Sequence, residues 1–209
     1  MEKIKIMPRH LLLIFLPVAA AVLGGMLFSG DMNSFTRSSG GGGISQAQLY
    51  LGLSLLTGAL AFGHRCLPAA FRWVIVVLLP LLFSFQVLPQ LGKNTSLTMI
   101  YLLNLAFAIG LWFALRMVFF SASLIRVRTA LFAISAAVLL TIYFRILFLI
   151  MGLGFAASGW SGYFWNSLFL FIFTAFGLSV ADVMIIRKDL GERPAAPEPE
   201  EPEDIDPDA

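Results

Sequence analysis

The chain has 209 residues, 59% of them apolar and only 12% charged, and its formal charge of +2 divides into an excess of ten positive charges over residues 1–188 and of eight negative charges over residues 189–209. A mean hydropathy of +0.88 is more apolar surface than a soluble domain of this size can hide, because most residues of a small folded domain keep some exposure. These figures exclude a soluble enzyme, a secreted disulfide scaffold and a nucleic-acid-binding domain, and indicate an all-α, polytopic helical membrane protein whose basic excess is a topology signal.

Six apolar runs follow one another, each close to the roughly 17–25 residues that cross about 30 Å of hydrocarbon as a helix. Barrel-type alternation is absent from the sequence, which excludes an outer-membrane barrel. The first span covers residues 11–28 behind Lys3, Lys5 and Arg9. That order resembles a signal peptide, but the run is longer than the usual apolar region of about 7–15 residues and no small-x-small cleavage site follows it at the right distance, so the helix is read as retained. The connection 29–46 contains Ser38, Ser39 and then Gly40–Gly43, a flexible loop. It lacks the Lys-Ser/Thr and the strand–helix context of a phosphate loop.

The second span, 47–63, is rich in small residues, with Ser54/Gly58 and Ala59/Gly63 as small-xxx-small pairs and Gly52 and Ala61 beside them. Such a face permits close helix contact, with an internal neighbour or with a partner subunit. The third span is 73–88 and the fourth 97–115. Residues 116–129 set Met117, Val118, Phe119, Phe120, Leu124 and Ile125 between arginines. The stretch either lies along the membrane interface or continues the fourth span past a snorkelling Arg116. The fifth span is 130–155 and the sixth 164–186. Residues 191–209 form a second region, a cytoplasmic tail. From Glu192 onward it holds five prolines and almost no apolar residues, so it is predicted to be disordered and to extend into the cytosol as a docking segment for a cytosolic partner. Two inverted halves of three spans are permitted, but no matched residues support a repeat.

Orientation follows from Lys and Arg. One set of flanks carries Lys3, Lys5, Arg9, Arg65, Arg72, Arg116, Arg126, Arg128, Arg187, Lys188 and Arg193, and the other only Arg37 and Lys93. Eleven against two, alternating at every turn, predicts six spans with both termini cytoplasmic, in the pattern of a bacterial cytoplasmic (inner) membrane protein. Trp73, Trp112, Trp160, Tyr163 and Trp165 fall near predicted edges, as an aromatic belt does.

Arg145 lies inside the fifth span, where a charge costs at least about 2.5–3.5 kcal/mol on insertion scales. Counting 1.5 Å per residue puts it about 22 Å above the cytoplasmic edge and about 8 Å below the outer one. Gln86, Asn104 and Thr174 fall in the same layer, about 18–20 Å up. Converging faces would make a polar pocket in which Arg145 and its amide neighbours hold an anion; otherwise these groups snorkel or glue helices together. Asp182 stands about 7 Å inside the cytoplasmic edge. An inner-half ion pair is expected with Arg72, Arg126 or Arg128, since no second intramembrane acid or histidine is offered for a proton relay. His10 and His64 are isolated at span ends without metal-ligand spacing, and no metal or cofactor is implied. Cys66 beside His64 lacks an acid to orient the base, and no catalytic motif is present.

Three readings remain. A non-catalytic subunit or scaffold of a membrane complex, meeting partners through the second span or the tail, accounts for the tail and for the missing catalytic groups. A small transporter, or the substrate-binding component of one, would use the Arg145 layer. An intramembrane enzyme stands last, because its acid–base constellation is missing.

Overall fold

The computed structural model describes residues 8–29, 45–87, 96–121, 124–150 and 160–191. The Ser38–Gly43 loop, Arg37, Lys93 and the acidic tail lie outside the described residues, as do the side chains of Gln86 and Trp160. The described part is all-helical. A 3₁₀ turn, Pro8–Leu11, leads into α1 (Leu12–Ser29), followed by α2 (Gln46–Cys66), α3 (Ala69–Val87), α4 (Leu97–Ala114), α5 (Ile125–Ile150) and α6 (Trp160–Gly191).

Local sequence sets several of these boundaries. Ser45 caps α2 by accepting from the Gln48 amide at 3.2 Å, while the Gln48 side chain accepts from the Ser45 amide at 3.0 Å. This capping box satisfies two of the donors that a helix start leaves unpaired. Pro68 follows the end of α2, and its carbonyl accepts from the Phe71 and Arg72 amides that open α3. Leu115–Phe119 makes one turn of π-helix on the end of α4, and α5 begins at Ile125 rather than at 130, so the predicted 116–129 connection divides between the two helix ends.

Neighbours in sequence pack antiparallel around a ring, and α6 closes it on α1; α2 also touches α4 and α6. Pairs along each seam give the direction. Ser29 meets Gln46, and Gly58 meets Leu13, so α1 and α2 run opposite. On α3 and α4, Trp73 lies 5.2 Å from Trp112, whereas Ser84 meets Asn104. On α5 and α6, Thr129 meets Ser179, whereas Phe144 meets Tyr163. This topology gathers Arg65, Arg72, Arg116, Arg126 and Arg128 at one end of the bundle. The axis is filled by fully buried Leu53, Leu60, Leu111, Phe132, Leu140 and Phe171.

Four helices are long and apolar enough to cross a membrane: Arg9–Ser29, Leu97–Phe119, Ile125–Ile150 and Ser161–Ile186. The apolar stretch of α3, Phe71–Phe85, is shorter. Helix α2 carries Ser54, Thr57, Gly58 and Gly63 on buried positions. A helix screened by its neighbours can spend its inner face on small polar residues, because lipid does not read that face.

The glycines of α2 show where its small face goes. A Cβ on Gly58 would lie 2.8 Å from the Leu13 carbonyl of α1, and Cβ atoms on Gly52 and Gly63 would crowd Phe83 and Ile75 of α3. Pro17, which has no N–H to offer the Leu13 carbonyl four residues back, frees that oxygen, and the open backbone of Gly58 is what faces it. Gly177 of α6 approaches α1 equally closely, with a Cβ there only 2.5 Å from the Leu16 carbonyl.

Candidate functional site

The bundle holds three polar constellations. The first is a hydrogen-bond relay across α5, α4 and α3. Tyr143 donates to Asn104 Oδ1 at 2.7 Å, Asn104 Nδ2 donates to Ser84 Oγ at 2.8 Å, and Ser84 donates to the Pro80 carbonyl at 2.7 Å. All three side chains are buried. Each such bond between membrane helices contributes roughly 0.6 kcal/mol, so the relay fixes register more than it adds stability.

The second constellation sits towards the basic end. Asp182 of α6 is 1% exposed, with Oδ2 2.9 Å from Arg128 Nη2 of α5 and Oδ1 3.6 Å from Arg65 Nη2 of α2. The Arg128 guanidinium also stands 4.8 Å from the Phe119 ring centre, and Thr129 and Ser179 share a hydroxyl contact of 2.7 Å. One carboxylate therefore ties three helices together. Arg72 takes another partner: its Nε donates to the Leu67 carbonyl at 2.7 Å. Arg126 is exposed.

The third is a cavity of about 470 Å³ at the opposite end, between α1, α2, α5 and α6. Ser29, Gln46, Tyr50, Asn166 and Ser167 give it polar atoms, and Phe28, Phe144 and Leu170 give it apolar walls. Ser29 donates to Gln46 at 3.1 Å across the α1–α2 seam, and the Tyr50 hydroxyl donates to the Asn166 carbonyl at 3.4 Å. Among the described residues no charged side chain lines it. Deeper along the axis, Phe119, Phe132 and Phe171 stack edge to face, 5.7 and 6.3 Å between successive ring centres, and fill the route towards the basic end.

No family model, curated protein or solved structure matches this chain. The site is therefore read from its own geometry.

The layer singled out by depth in the sequence divides in the structure. Asn104 is held by Ser84 and Tyr143, two residues that the sequence reading did not single out. Thr174 turns to the Leu170 carbonyl of its own helix, 2.8 Å away. Arg145 is exposed, and two residues along α5 from Tyr143 it stands about 200° round the helix from the Asn104 contact. Of the predicted belt, Trp73 and Trp165 are exposed while Trp112 is buried inside the bundle.

His64, one residue past the predicted second span, stacks on Phe120 at 4.7 Å. Burial first, and then the charges of Arg72, Arg116 and Arg65, push its pKa below the ordinary value, so the ring is neutral at pH 7. Burial pushes the Cys66 thiol up to about 11, against a smaller opposing pull from Arg65. The thiol is protonated at neutral pH and is a poor nucleophile. Among the described residues no three His, Cys, Asp or Glu side chains come together as metal ligands.

Proposed function

We propose that the chain is a six-span protein of a bacterial cytoplasmic membrane, with both termini in the cytoplasm, that binds a neutral amphipathic solute from the outer side as a small carrier or as the solute-binding component of one. The observation that carries this reading is the cavity at the end opposite the cluster of Arg65, Arg72, Arg116, Arg126 and Arg128. Its volume, about 470 Å³, falls within the range of roughly 300–1,000 Å³ that holds small molecules. Its lining among the described residues fits a ligand with an apolar or aromatic body and a few hydrogen-bonding groups, and carries no charged side chain. Beneath it the aromatic stack and the Asp182 cluster close the bundle, the arrangement of a carrier open on one side.

The test is direct binding of a panel of radiolabelled neutral solutes (indole, aromatic alcohols, short polyols) to the purified full chain in nanodiscs. Ser167→Trp fills the cavity and should reduce binding of any hit at least tenfold, while Arg126→Leu, exposed at the opposite end of the bundle, should leave it unchanged. Binding that survives Ser167→Trp removes the reading.

The non-catalytic subunit or scaffold is the second reading, and the exterior of α6 favours it. Ile172, Phe176 and Met184 are exposed along one stripe. Grooves of about 720 and 510 Å³ flank the stripe, against α5 on one side and α1 on the other. Purification of the native protein with identification of what accompanies it separates a lone carrier from a member of a complex.

A further inference from the structure

At the basic end, the termini of α2, α3 and α4 bring together donors that the bundle does not use. Trp112 is 6% exposed, and its indole Nε1–H is buried without a hydrogen-bond partner. His64 Nδ1 is likewise buried and unpartnered, with its ring held flat on Phe120. Arg116, one turn beyond Trp112, holds its guanidinium 5.5 Å from the indole ring centre. Arg72 is anchored through Nε to the Leu67 carbonyl, which fixes the plane of a group that carries four further N–H donors. Asp182, the buried carboxylate of this end, is already engaged by Arg128 and Arg65. Residues 1–188 supply thirteen Lys and Arg against three acids, so the bundle has few carboxylates of its own to set against this corner.

We propose that the junction of α2, α3 and α4, formed by His64, Arg72, Trp112 and Arg116, binds a phosphate group, that of an anionic phospholipid headgroup. Two guanidiniums supply the charge, and the indole N–H and a neutral imidazole N–H supply directed hydrogen bonds. The lipid is the source that fits because the cluster borders an exposed apolar face of α3 carrying Trp73, Val74 and Val77. Trp73, 5.2 Å from Trp112, is 50% exposed on the outside of α3, where an acyl chain would lie while the headgroup turns inward. Basic pockets between helices on the cytoplasmic side hold anionic headgroups in the same manner. Free inorganic phosphate offers the same oxygens without the chain.

The experiment uses the full chain with Trp160→Phe and Trp165→Phe, so that fluorescence comes from Trp73 and Trp112 alone. In nanodiscs, brominated phosphatidylglycerol should quench this emission at a lower mole fraction than brominated phosphatidylcholine. Arg72→Gln/Arg116→Gln should lower that preference by about fivefold per arginine, roughly 30-fold in all. Arg126→Gln, an exposed arginine on α5, should leave it intact. Equal quenching of the parent protein by the two lipids overturns the lipid assignment whether or not the double variant folds. A second arm adds millimolar inorganic phosphate to phosphatidylcholine discs and follows thermal unfolding. Stabilisation that the arginine pair is needed for would assign the site to free phosphate, and the absence of both effects would remove the site altogether. Persistence of either effect in a folded double variant places the phosphate elsewhere and also overturns the proposal.

Discussion

Asp182 is the residue on which the most electrostatic energy depends. Its carboxylate is shut away from solvent between two guanidiniums, and a buried ion pair that loses one member typically costs about 3–5 kcal/mol, because the remaining charge is left uncompensated. Asp182→Asn should therefore destabilise the bundle by that order, and Arg128→Leu by a similar amount. The double variant Asp182→Leu/Arg128→Leu should recover a large part of the loss, since two apolar side chains in place of the pair need no partner, although Arg65 stays behind as a charge near the surface. Thermal unfolding of the four proteins in one detergent closes the cycle; additive losses would show that the contact at 2.9 Å carries no coupling. Arg128 was legible in the sequence only as one of three arginines, with Arg72 and Arg126, that the depth of Asp182 put at its level. Arg65 was not, since its reach to Asp182 depends on α2 lying beside α6, an adjacency across the ring that no local pattern announces. Depth also carries no azimuth. Asn104 is at the expected level, but Tyr143, which reads as one more aromatic in an apolar run, faces it, while Arg145 at nearly the same height looks out.

At the scale of elements, the legible part was the set of apolar runs, and the boundaries moved where a capping residue or a proline outranks hydropathy. Ser45 and Pro68 bracket α2, and α5 starts five residues before the apolar run because amphipathic Ile125–Thr129 can wind before entering lipid. The small-residue face of α2 was visible in sequence, but its target was not: two of its three glycines turn to α3, and Gly58 lies on the backbone of α1. Gly177 was overlooked, since a single glycine in an aromatic-rich run carries no spacing signal. The two close approaches give a prediction about packing. A Cβ at position 58 or 177 would fall within 3 Å of an α1 carbonyl, a backbone atom that cannot rotate away. Gly58→Ala and Gly177→Ala should each destabilise the fold by about 1–3 kcal/mol through overpacking, with the loss seen as a lower unfolding temperature. Gly162→Ala, where an added methyl meets nothing within 4 Å, is the control that should be neutral or slightly stabilising.

The whole molecule raises the question of how many times the chain crosses. Hydropathy credits α1, α4, α5 and α6, and an alternative with four crossings would leave the α2–α3 hairpin dipping into the membrane from outside. Six crossings are the proposal, and whole-helix length is compatible with it: the 21 residues of α2 and the 19 of α3 extend about 31 and 28 Å, against a hydrocarbon core of about 30 Å. The Arg65–Asp182 contact brings the end of α2 to the same level as the end of α6, and the turn between α2 and α3 therefore reaches the basic face. The single cysteine, Cys66, sits at that turn and makes the test without engineering. In sealed vesicles, a membrane-impermeant maleimide should modify Cys66 from the cytoplasmic side, and Ser161→Cys, placed at the exposed start of α6 in a Cys66→Ser background, from the outer side only. The rate carries a second signature. Burial favours the neutral thiol, so labelling should be slow at neutral pH and should accelerate as the pH is raised from 6.5 to about 8.5. Modification of Cys66 from the outer side would reverse the orientation, and protection from both sides, lifted only by detergent, would leave the hairpin buried and the chain with four crossings.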